Sequence, residues 1–372
     1  MKIAMDLQPC IGNKTGIGMY THEIAKRLKS DEQISYQGEV FDFLGREGSK
    51  QLRSEYSFPV QVCKQLPFGI QRRVRNIVPL PHEFYFDKAD LHHFPYSIVP
   101  PHISGKVITT IHDLTYLHYP ETMAQKTYDY LKSGIEYSVQ RSDYIITDAE
   151  AMREEIIEFL GVSPNRVIAI HIAASITEDE APMREVRQKF GIKDMPYILY
   201  LGTIEPRKNL ERLIQAYNLM RDDTGCEQQL VLAGGKGWNC QSIYEEAARS
   251  PYTEDIIFTD YISSAEKTAL YKHAQIFTFP SIYEGFGIPL LEAMHFKVPV
   301  LTANVSAMPE VTGSAAELVN PFDVEHIAHG MHCILTDTEY RDKLVQLGME
   351  RKDFFGWDKV ATKVQQIHRN FL

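Results

Sequence analysis

The chain has 372 residues, of which 44% are apolar and 24% charged, and its formal net charge is −10. This length favours two domains, and the composition excludes a disordered, collagen-like or low-complexity protein. The acidic balance argues against nucleic acid as a partner, and no run approaches the roughly 20 apolar residues that span a bilayer. The five cysteines are scattered without a CxxC pair. They predict free thiols in a reducing cytoplasm, and neither a disulfide framework nor a zinc site.

Short apolar runs alternate with amphipathic stretches along the chain, a pattern typical of strands that alternate with helices. In the first half we predict strands over residues 2–7, 107–111, 144–147 and 166–170, and helices over residues 20–28, 124–139 and 153–160. The pattern pauses at residues 174–196, where acidic residues and prolines indicate an inter-domain connection.

The alternation restarts after this connection. In the second half we predict strands over residues 197–200, 229–233, 256–258, 276–280 and 298–302, and helices over residues 210–220, 264–274 and 289–295. Two α/β halves follow from this pattern, each with a parallel sheet that carries helices on both faces. Ligands of such sheets bind outside the carboxyl ends of the strands, so candidate site residues are expected there.

The segment SIYEGFGIPLLEA (residues 281–293) follows the predicted strand 276–280. Glu284 falls on a loop that two glycines can turn tightly, and Glu292 falls about one turn into the next helix. The amides near residues 286–288 lie at the N-terminus of that helix, where they can hold an anion or a sugar oxygen. The pattern therefore predicts a ligand site in which both carboxylates accept hydrogen bonds from hydroxyl groups.

The segment GTIEPRKN (residues 202–209) follows the predicted strand 197–200. Arg207 and Lys208 place two adjacent cations at the carboxyl end of this strand, before a helix that Asn209 could cap. Two cations at this position suit a diphosphate, which arginine can bind bidentately. Taken alone, the pair is also consistent with a basic patch on the surface.

Two segments of the first half are weaker signals. GNKTGIGMY (residues 12–20) lacks the ending of a P-loop, and Thr21 stands where a dinucleotide fingerprint needs its third glycine. The segment predicts either a loop whose backbone approaches a phosphate or sugar, or only a turn. His112 lies in TIHDL (residues 110–114) at the end of a predicted strand, where it could contact a ligand or serve the structure alone.

Together these segments resemble the retaining glycosyltransferases of family 4, over essentially the whole chain. Glu284 and Glu292 match the family's motif of two glutamates separated by seven residues, and GTIEPRKNL matches its Arg/Lys diphosphate segment. GIGMY matches its N-terminal glycine loop, and TIHDL matches the segment that bears its active-site histidine. The chain departs from the family at Asp148-Ala149-Glu150, where relatives often carry serine before the glutamate.

The resemblance implies a GT-B architecture: two Rossmann-like α/β domains whose parallel sheets face each other across a cleft. We expect an acceptor-side domain over residues 1–174 plus 355–372, with a C-terminal helix that crosses back onto it. The nucleotide-sugar-binding domain is expected over residues 175–354.

The resemblance also implies roles for individual residues. Arg207 and Lys208 neutralise the departing diphosphate, while His112 contacts the transferred sugar and its phosphate. Glu292 accepts hydrogen bonds from the ribose. The donor sugar is held by Glu284 and by the amides of Phe286, Gly287 and Ile288. The remaining donor contacts fall on Gly16, Gly18, Gly202, Tyr261 and Ile262.

The chain contains no Asp-x-Asp pair, with which many glycosyltransferases hold a metal at the diphosphate. Fixed cations and helix amides would replace that metal, so we expect metal-independent catalysis. No cofactor is expected, because the nucleotide sugar is a substrate. The retention implied by the family takes place on one face of the sugar, and no enzyme nucleophile is assigned.

The acceptor is less constrained by the sequence. His93 and Arg153 are its candidate contacts, although Arg153 could instead form local helix pairs and the neighbouring His92 is expected to be structural. Residues 64–78 mix apolar residues with three arginines and could touch anionic lipid or a lipid-diphosphate acceptor. An ordinary surface helix is the alternative. We expect a cytoplasmic protein that makes peripheral contact with the membrane.

The predicted activity is transfer of a hexose from a nucleoside-diphosphate sugar to a hydroxyl group of a saccharide or lipid-linked saccharide. GIGMY and TIHDL resemble members that build bacterial surface polysaccharides, often from GDP-mannose, so mannose is the first expectation and a UDP-sugar such as UDP-glucose the second. A dehydrogenase would need the full glycine fingerprint, and a PLP-dependent glucan phosphorylase would be larger. A non-catalytic nucleotide-sugar-binding protein is the alternative of another class.

Overall fold

Two parallel sheets organise the chain, and each belongs to its own unit. The computed structural model describes residues 1–12, 14, 16–45, 47–65, 69 and 80–372. The first unit comprises Met1–Leu114, Asp129–Ile172 and Gly356–Leu372, and the second comprises Thr115–Tyr128 and Ala173–Phe355. The C-terminal helix thus returns to the first unit. Among the described residues, no helix combines the length and the apolar character that crossing a membrane requires.

The first sheet has seven parallel strands in the order β3-β2-β1-β4-β5-β6-β7. Their bounds are β1 Lys2–Asp6, β2 Ser35–Phe41, β3 Val60–Cys63, β4 Leu91–Phe94, β5 Lys106–Thr110, β6 Tyr144–Thr147 and β7 Val167–Ala169. The second sheet has six parallel strands in the order β10-β9-β8-β11-β12-β13. Their bounds are β8 Tyr197–Leu201, β9 Gln229–Ala233, β10 Ile256–Phe258, β11 Ile276–Phe279, β12 Val300–Ala303 and β13 Ala316–Val319.

Helices connect the strands, as parallel pairing requires. Up to the start of β8 the described α-helices are α1 Ile17–Arg27, α2 Glu47–Glu55, α3 Thr115–His118, α4 Gln125–Arg141, α5 Glu150–Leu160 and α6 Met183–Phe190. After β8 they are α7 Leu210–Thr224, α8 Gln241–Arg249, α9 Ser264–His273, α10 Ile288–His295, α11 Met308–Thr312, α12 Val324–Thr336, α13 Thr338–Lys352 and α14 Trp357–Arg369.

The strand order fixes where ligands are expected in each unit. Across the first sheet the strand numbers decrease as far as β1 and increase from β4 onward. Across the second sheet the order changes in the same way between β8 and β11. In a sheet of this kind the loops after the two strands at the reversal diverge and leave a crevice at the carboxyl ends. The segment with Arg207 and Lys208 follows β8, and the segment with Glu284 follows β11. The second-half motifs therefore flank the reversal of the second sheet.

The centre of the second sheet is an uninterrupted apolar strand. Tyr197, Ile198, Leu199 and Tyr200 of β8 are all fully buried, as expected for a parallel strand with helices on both faces. This pattern is easy to recognise in a sequence, and the predicted bounds of β8 to β11 agree with the structure to within one residue.

The first sheet is less regular in sequence. The pattern of apolar runs does not predict β2, β3 or β4, because polar residues occupy buried positions there. β2 carries Gln37 and Glu39, and β4 carries His92 and His93, all of them buried. The local pattern of these strands therefore resembles that of a loop.

Residues Thr115–Tyr128 group with the second unit, whereas the sequence-based division placed them in the first domain. Ring contacts and a hydrogen bond attach the segment there. The ring of His118 lies 5.1 Å from that of Tyr283, and the indole Nε1 of Trp238 donates to the carbonyl of Thr122. Such contacts between distant parts of the chain leave no local signature in the sequence.

Candidate functional site

The two cations predicted to bind a diphosphate lie against Glu284. The ammonium of Lys208 donates to Oε1 of Glu284 at 2.6 Å, and Nη1 of Arg207 lies 2.9 Å from Oε2 of the same carboxylate. Lys208 and Glu284 are both 8% exposed. The structure therefore brings three predicted site residues together in one buried ion-pair cluster.

Glu205 is a fourth member of this cluster, and the sequence analysis did not single it out. Its carboxylate accepts from Nη2 of Arg207 at 2.9 Å, and the residue is 2% exposed. Two cations and two carboxylates carry formal charges that cancel. The cluster is thus neutral in total, although its cations lie where a diphosphate is predicted.

The charge states of the cluster follow from burial and proximity. Burial raises the pKa of Glu284, but Arg207 and Lys208 outweigh it and bring this pKa down to about 2. Burial lowers the pKa of Lys208, and the attraction of Glu284 opposes that effect. Glu284 is therefore a carboxylate throughout the physiological pH range.

The segment after β8 is shaped by backbone turns. The amide of Gly202 donates to the carbonyl of Ala233 at 2.9 Å, which ties the end of β8 to that of β9. Asn209 precedes α7 in the left-handed region, at a φ of 62°. Its side chain makes no capping hydrogen bond, contrary to the prediction, because its Oδ1 accepts from Nη1 of Arg212 at 3.0 Å, while its amide donates to the carbonyls of Pro280 and Pro321.

The loop after β11 leads from Glu284 into α10. Gly287 is the N-cap of this helix at a φ of 103°, a conformation that favours glycine. A glycine offers no side-chain acceptor to the first-turn amides, so the start of α10 at Ile288 can serve an anion or a sugar oxygen. Phe286 is buried, its ring centre 5.7 Å from that of Phe355. The hydroxyl of Ser306 donates to the carbonyl of Glu284 at 2.6 Å.

Glu292 lies on α10 and is held from α9. Lys267 donates to one oxygen of its carboxylate at 2.5 Å, and the hydroxyl of Tyr271 donates to the other at 3.0 Å. The predicted ribose acceptor thus has protein partners in this structure. A ribose hydroxyl would share the carboxylate with Lys267, which lies at the partly exposed side of the pair.

Tyr261 and Ile262 follow β10 in a turn. Asp260, just before them, has a φ of 55° and forms a bridge with Gly234. The ring of Tyr261 is 73% exposed. This exposure leaves a flat aromatic face available to a planar ligand.

The first unit has a different cluster, centred on His112. Its Nδ1 lies 2.7 Å from an Oδ of Asp148, and its Nε2 lies 3.2 Å from the carbonyl of Pro95. The ring of Tyr20 meets the imidazole edge-on at 4.8 Å between centres, and its hydroxyl lies 3.2 Å from that of Thr110. His112 is therefore held in one orientation just after β5.

Asp148 controls the charge of this imidazole. Burial lowers the pKa of His112, but the neighbouring carboxylate more than offsets burial, and the net direction is upward from the ordinary value. The other oxygen of Asp148 is buried without a hydrogen-bond partner among the described residues. Asp148 directly follows β6, so its contact with His112 joins the carboxyl ends of two neighbouring strands.

Gly16 and Gly18 lie at the start of α1, after β1. Gly16 is the N-cap of the helix, and Gly18 is a buried residue of its first turn. A Cβ atom at Gly18 would come within 2.5 Å of the carbonyl oxygen of Pro9, so only glycine allows this approach of two backbones. Residues 12–20 are predicted as a loop or a turn, but in the structure the helix α1 already begins at Ile17.

The two acceptor-side candidates have internal partners. The imidazole of His93 is fully buried, with its Nδ1 3.1 Å from Nε2 of His368. Arg153 donates to the carbonyls of Val167 and Pro164 at 2.9 and 3.0 Å, and it pairs with Glu150. The alternative of a local helix pair for Arg153 thus describes the structure, and acceptor contact by either residue stays a prediction. The three arginines of segment 64–78 lie outside the described residues.

Asp148 and Glu205 are the residues that the sequence analysis missed. Each follows a strand and holds a predicted site residue: Asp148 holds His112, and Glu205 holds Arg207. One signal could have located Asp148, because it follows β6 directly and neighbouring parallel strands end at the same edge of a sheet.

Comparison with known proteins gives this geometry a context. Residues 182–351 match the family described as "Glycosyl transferases group 1". The O-antigen chain mannosyltransferase B of Escherichia coli is 29% identical over 383 residues, which cover 99% of this chain and 100% of that protein. The serotype-specific mannosyltransferase WbdA of Escherichia coli is 29% identical over 299 residues, which cover 77% of this chain and 36% of that longer protein.

A structural match extends over the whole chain. The crystal structure of Anabaena Alr3699/HepE in complex with UDP and glucose matches with a TM-score of 0.72 at 17% identity, and the match covers 100% of both chains. The predicted GT-B fold class, with two parallel-sheet α/β domains, is thereby confirmed. The motif residues from Gly202 to Glu292 all lie within 182–351, so the buried ion-pair cluster lies in the segment that is similar to the group 1 glycosyl transferases.

Proposed function

We propose that this protein is a hexosyltransferase of bacterial surface polysaccharide synthesis. It transfers a hexose from a nucleoside-diphosphate sugar to a hydroxyl group of a saccharide or lipid-linked saccharide. The observation that carries the proposal is the buried cluster of Arg207, Lys208 and Glu284 at the ends of β8 and β11. It lies inside the group 1 domain, and the full-length relative is a mannosyltransferase.

The charges of the cluster suggest how the donor enters. Glu284 balances the two cations while no donor is bound, and a diphosphate takes over Arg207 and Lys208 when the donor arrives. The carboxylate is then available to hydroxyl groups of the donor sugar, next to the amides of Phe286, Gly287 and Ile288. Because charge grows on the diphosphate as the sugar departs, the two cations stabilise the transition state more than the ground state.

His112 supplies a second positive charge centre in this proposal. Held by Asp148, it contacts the transferred sugar and its phosphate as a hydrogen-bond donor. Asp148 is a positioning residue, because it acts on the substrate through the imidazole. Glu292 binds the ribose, while Tyr261 and Ile262 lie at the base, and Gly16, Gly18 and Gly202 complete the donor contacts.

The finer assignments belong to the same proposal. We infer membership of family 4 and retention of configuration from the match of Glu284 and Glu292 to the family motif. Metal independence is part of the proposal, because Arg207 and Lys208 would neutralise the diphosphate as a metal does in many glycosyltransferases. Peripheral contact with the membrane rests on segment 64–78 alone.

The donor is proposed as GDP-mannose, because two of the relatives are mannosyltransferases. A UDP-sugar is the second candidate, favoured by the structural match to a protein in complex with UDP and glucose. Thermal shifts with GDP, UDP and ADP separate the two. A ligand at about 100 times its Kd adds about 2.7 kcal/mol to the stability of the protein, enough for a clear rise in Tm.

Slow hydrolysis of the donor without acceptor tests the activity itself. The proposal expects the wild type to release GDP from GDP-mannose. UDP-glucose is assayed in parallel as the second candidate donor, and the Lys208→Met variant serves as the inactive control. If a nucleotide stabilises the wild-type protein but the protein neither hydrolyses the nucleotide sugar nor transfers its sugar, the proposed enzymatic activity is contradicted. That result favours the non-catalytic nucleotide-sugar-binding protein.

A further inference from the structure

The first unit contains a buried polar cluster that the proposed reaction does not use. It consists of Glu39 on β2, His92 on β4 and His82 in the short 3₁₀ helix His82–Phe84. None of the three is more than 3% exposed. One donor atom from each lies within 4.8 Å of the others.

The sheet register explains how these side chains meet. Strand β1 separates β2 from β4, and its Ala4 pairs with Gln37 on one side and with His92 on the other. Residues in register on parallel strands point to the same face, as does Glu39 two positions after Gln37. Ala4 carries only a methyl group, which leaves room for the ring of His82 between the two strands.

Two members of the cluster are already oriented. Nε2 of His82 lies 2.7 Å from one oxygen of Glu39, and the amide of Gln37 donates to the other oxygen at 3.0 Å. These contacts fix the carboxylate beside the imidazole of His92. A hydrogen bond such as the one from Gln37 commonly orients a carboxylate that ligates a metal.

His92 supplies the independent observation. Both of its ring nitrogens are buried without a hydrogen-bond partner among the described residues. A buried polar group without a partner is expensive, and nearly all such groups in proteins are satisfied.

We propose that Glu39, His82 and His92 bind one Zn²⁺ ion that stabilises the first unit. Two imidazoles and one carboxylate form a ligand set that zinc favours, and a water molecule completes the tetrahedron. The ion would provide the missing partner of His92 and join β2, β4 and the 3₁₀ helix. Three protein ligands and one water are the ligand set of an open zinc site, but these side chains are at most 3% exposed, so we assign the ion a stabilising role that is independent of the proposed transfer reaction.

The geometry requires only small movements. Ligand atoms around a tetrahedral zinc are about 3.4 Å apart for bonds of about 2.05 Å. The present separations, 2.7 Å between His82 and Glu39 and at most 4.8 Å within the set, bracket that value. On coordination the hydrogen bond between His82 and Glu39 is replaced by bonds from both side chains to the ion.

Metal analysis of the full-length protein, purified through a tag without histidines, tests this site. After equilibration with Zn²⁺ and removal of excess, the wild type is expected to hold one zinc ion per chain. Glu39→Gln and His92→Gln are expected to lose it. His93→Gln is the matched control, because His93 is the adjacent buried histidine and lies outside the ligand set.

Two further measurements keep the test decisive if a variant folds poorly. A chelator should lower the Tm of the wild type and leave that of His92→Gln unchanged. Cobalt in the wild-type site should show the strong visible absorption of tetrahedral coordination. A folded wild type that takes up no zinc overturns the proposal and indicates that His92 is satisfied by water. Zinc that persists in both ligand variants overturns it equally.

Discussion

Both units place charged groups at the carboxyl ends of two adjacent strands, but in different ways. In the second unit, two cations and two carboxylates meet where β8 and β11 end, and Arg207 and Lys208 hold Glu284 as a carboxylate with a pKa of about 2. In the first unit, one imidazole and one carboxylate meet where β5 and β6 end. The two cations of the second unit thus fix the charge of Glu284, whereas the pKa of His112 in the first unit is raised by its neighbour Asp148.

This difference assigns different tasks to the two units. Fixed cations suit a charge that develops in every turnover, such as that on a departing diphosphate. An imidazole whose pKa is set by one neighbour suits a contact that depends on pH. The following predictions test whether the two clusters differ in this way.

The largest effect is expected from Lys208→Met. The variant keeps an unbranched side chain and removes the ammonium, which lies 5.1 Å from the centre of the Phe279 ring. Its kcat should fall by a factor on the order of 10²–10³, the effect of removing one such electrostatic contact. The measurement is steady-state kinetics on material whose Tm shows that it is folded, because breaking a buried ion pair also destabilises.

Lys272→Met is the matched control for this variant. Lys272 lies on α9 and pairs with Glu180 in a partly exposed bridge, so its loss should leave kcat unchanged. A normal kcat in the Lys208→Met protein contradicts the role of the fixed cations and removes the contrast between the units.

A smaller effect, on a different constant, is expected from Glu292→Ala. The ribose does not change during the reaction, so the lost contact weakens ground state and transition state alike. A charge-assisted hydrogen bond is worth about 1.5–3 kcal/mol, which predicts a donor KM that rises roughly 10- to 100-fold while kcat stays close to wild type. Donor titrations with wild type and variant measure both constants.

Glu180→Ala controls for the loss of a carboxylate beside α9. The side chain of Glu180 is 32% exposed and pairs with Lys272, so its removal should leave the donor KM unchanged. If Glu292→Ala instead abolishes kcat with a normal KM, the ribose assignment is wrong.

The sequence predicted the second unit better than the first, for a physical reason. The strands β8 to β11 are apolar runs, and Arg207, Lys208 and Glu284 lie in short segments directly after β8 and β11. Each of these segments is readable without knowledge of its neighbours. The fold class and the three cluster members could therefore be predicted.

Contacts between distant segments could not be predicted from local patterns. Glu205 neutralises the cluster although it looks like an ordinary polar residue of a turn, and Asp148 reaches His112 only because β5 and β6 are neighbours in the sheet. In the same way, Gln37 and Glu39 make β2 hard to recognise, since these buried side chains are satisfied by the carbonyl of Asp87 and by His82 of the helix His82–Phe84. Their side chains are satisfied by tertiary structure, which residue spacing does not encode.

The titratable cluster of the first unit is probed by Asp148→Asn. Asparagine can still accept from Nδ1 of His112, so the geometry is kept while the negative charge is lost. The pKa of His112, raised by Asp148 in the wild type, should fall, because burial is then opposed only by the weaker effects of the Pro95 carbonyl and Asp113. Proton NMR titration of the imidazole measures this pKa shift. As the pH rises, the activity of the variant should decline at a lower pH than that of the wild type.

The sign of the stability effect follows from the same pKa shift. A histidine whose pKa is raised in the folded state stabilises it below the unfolded pKa of about 6.5, and this stabilisation is lost as the pH rises through the folded pKa. The Tm difference between wild type and Asp148→Asn should therefore be largest in mildly acidic buffer and shrink at alkaline pH. Glu150→Gln, a change in the exposed pair with Arg153, should show no such trend.

The smallest effect is expected from removal of divalent metals. If Arg207 and Lys208 neutralise the diphosphate, Mg²⁺ and Mn²⁺ have no task in the second unit, and the initial rate in EDTA should equal the rate in buffer. The Tm is measured in the same samples, because loss of the proposed zinc would act on the first unit through stability. A rate that falls with the Tm and returns with Zn²⁺ indicates the structural ion. A rate that falls at constant Tm and returns with Mg²⁺ or Mn²⁺ shows that Arg207 and Lys208 do not suffice to neutralise the diphosphate. That result also removes the distinction between the fixed charges of the second unit and the titratable charge of the first.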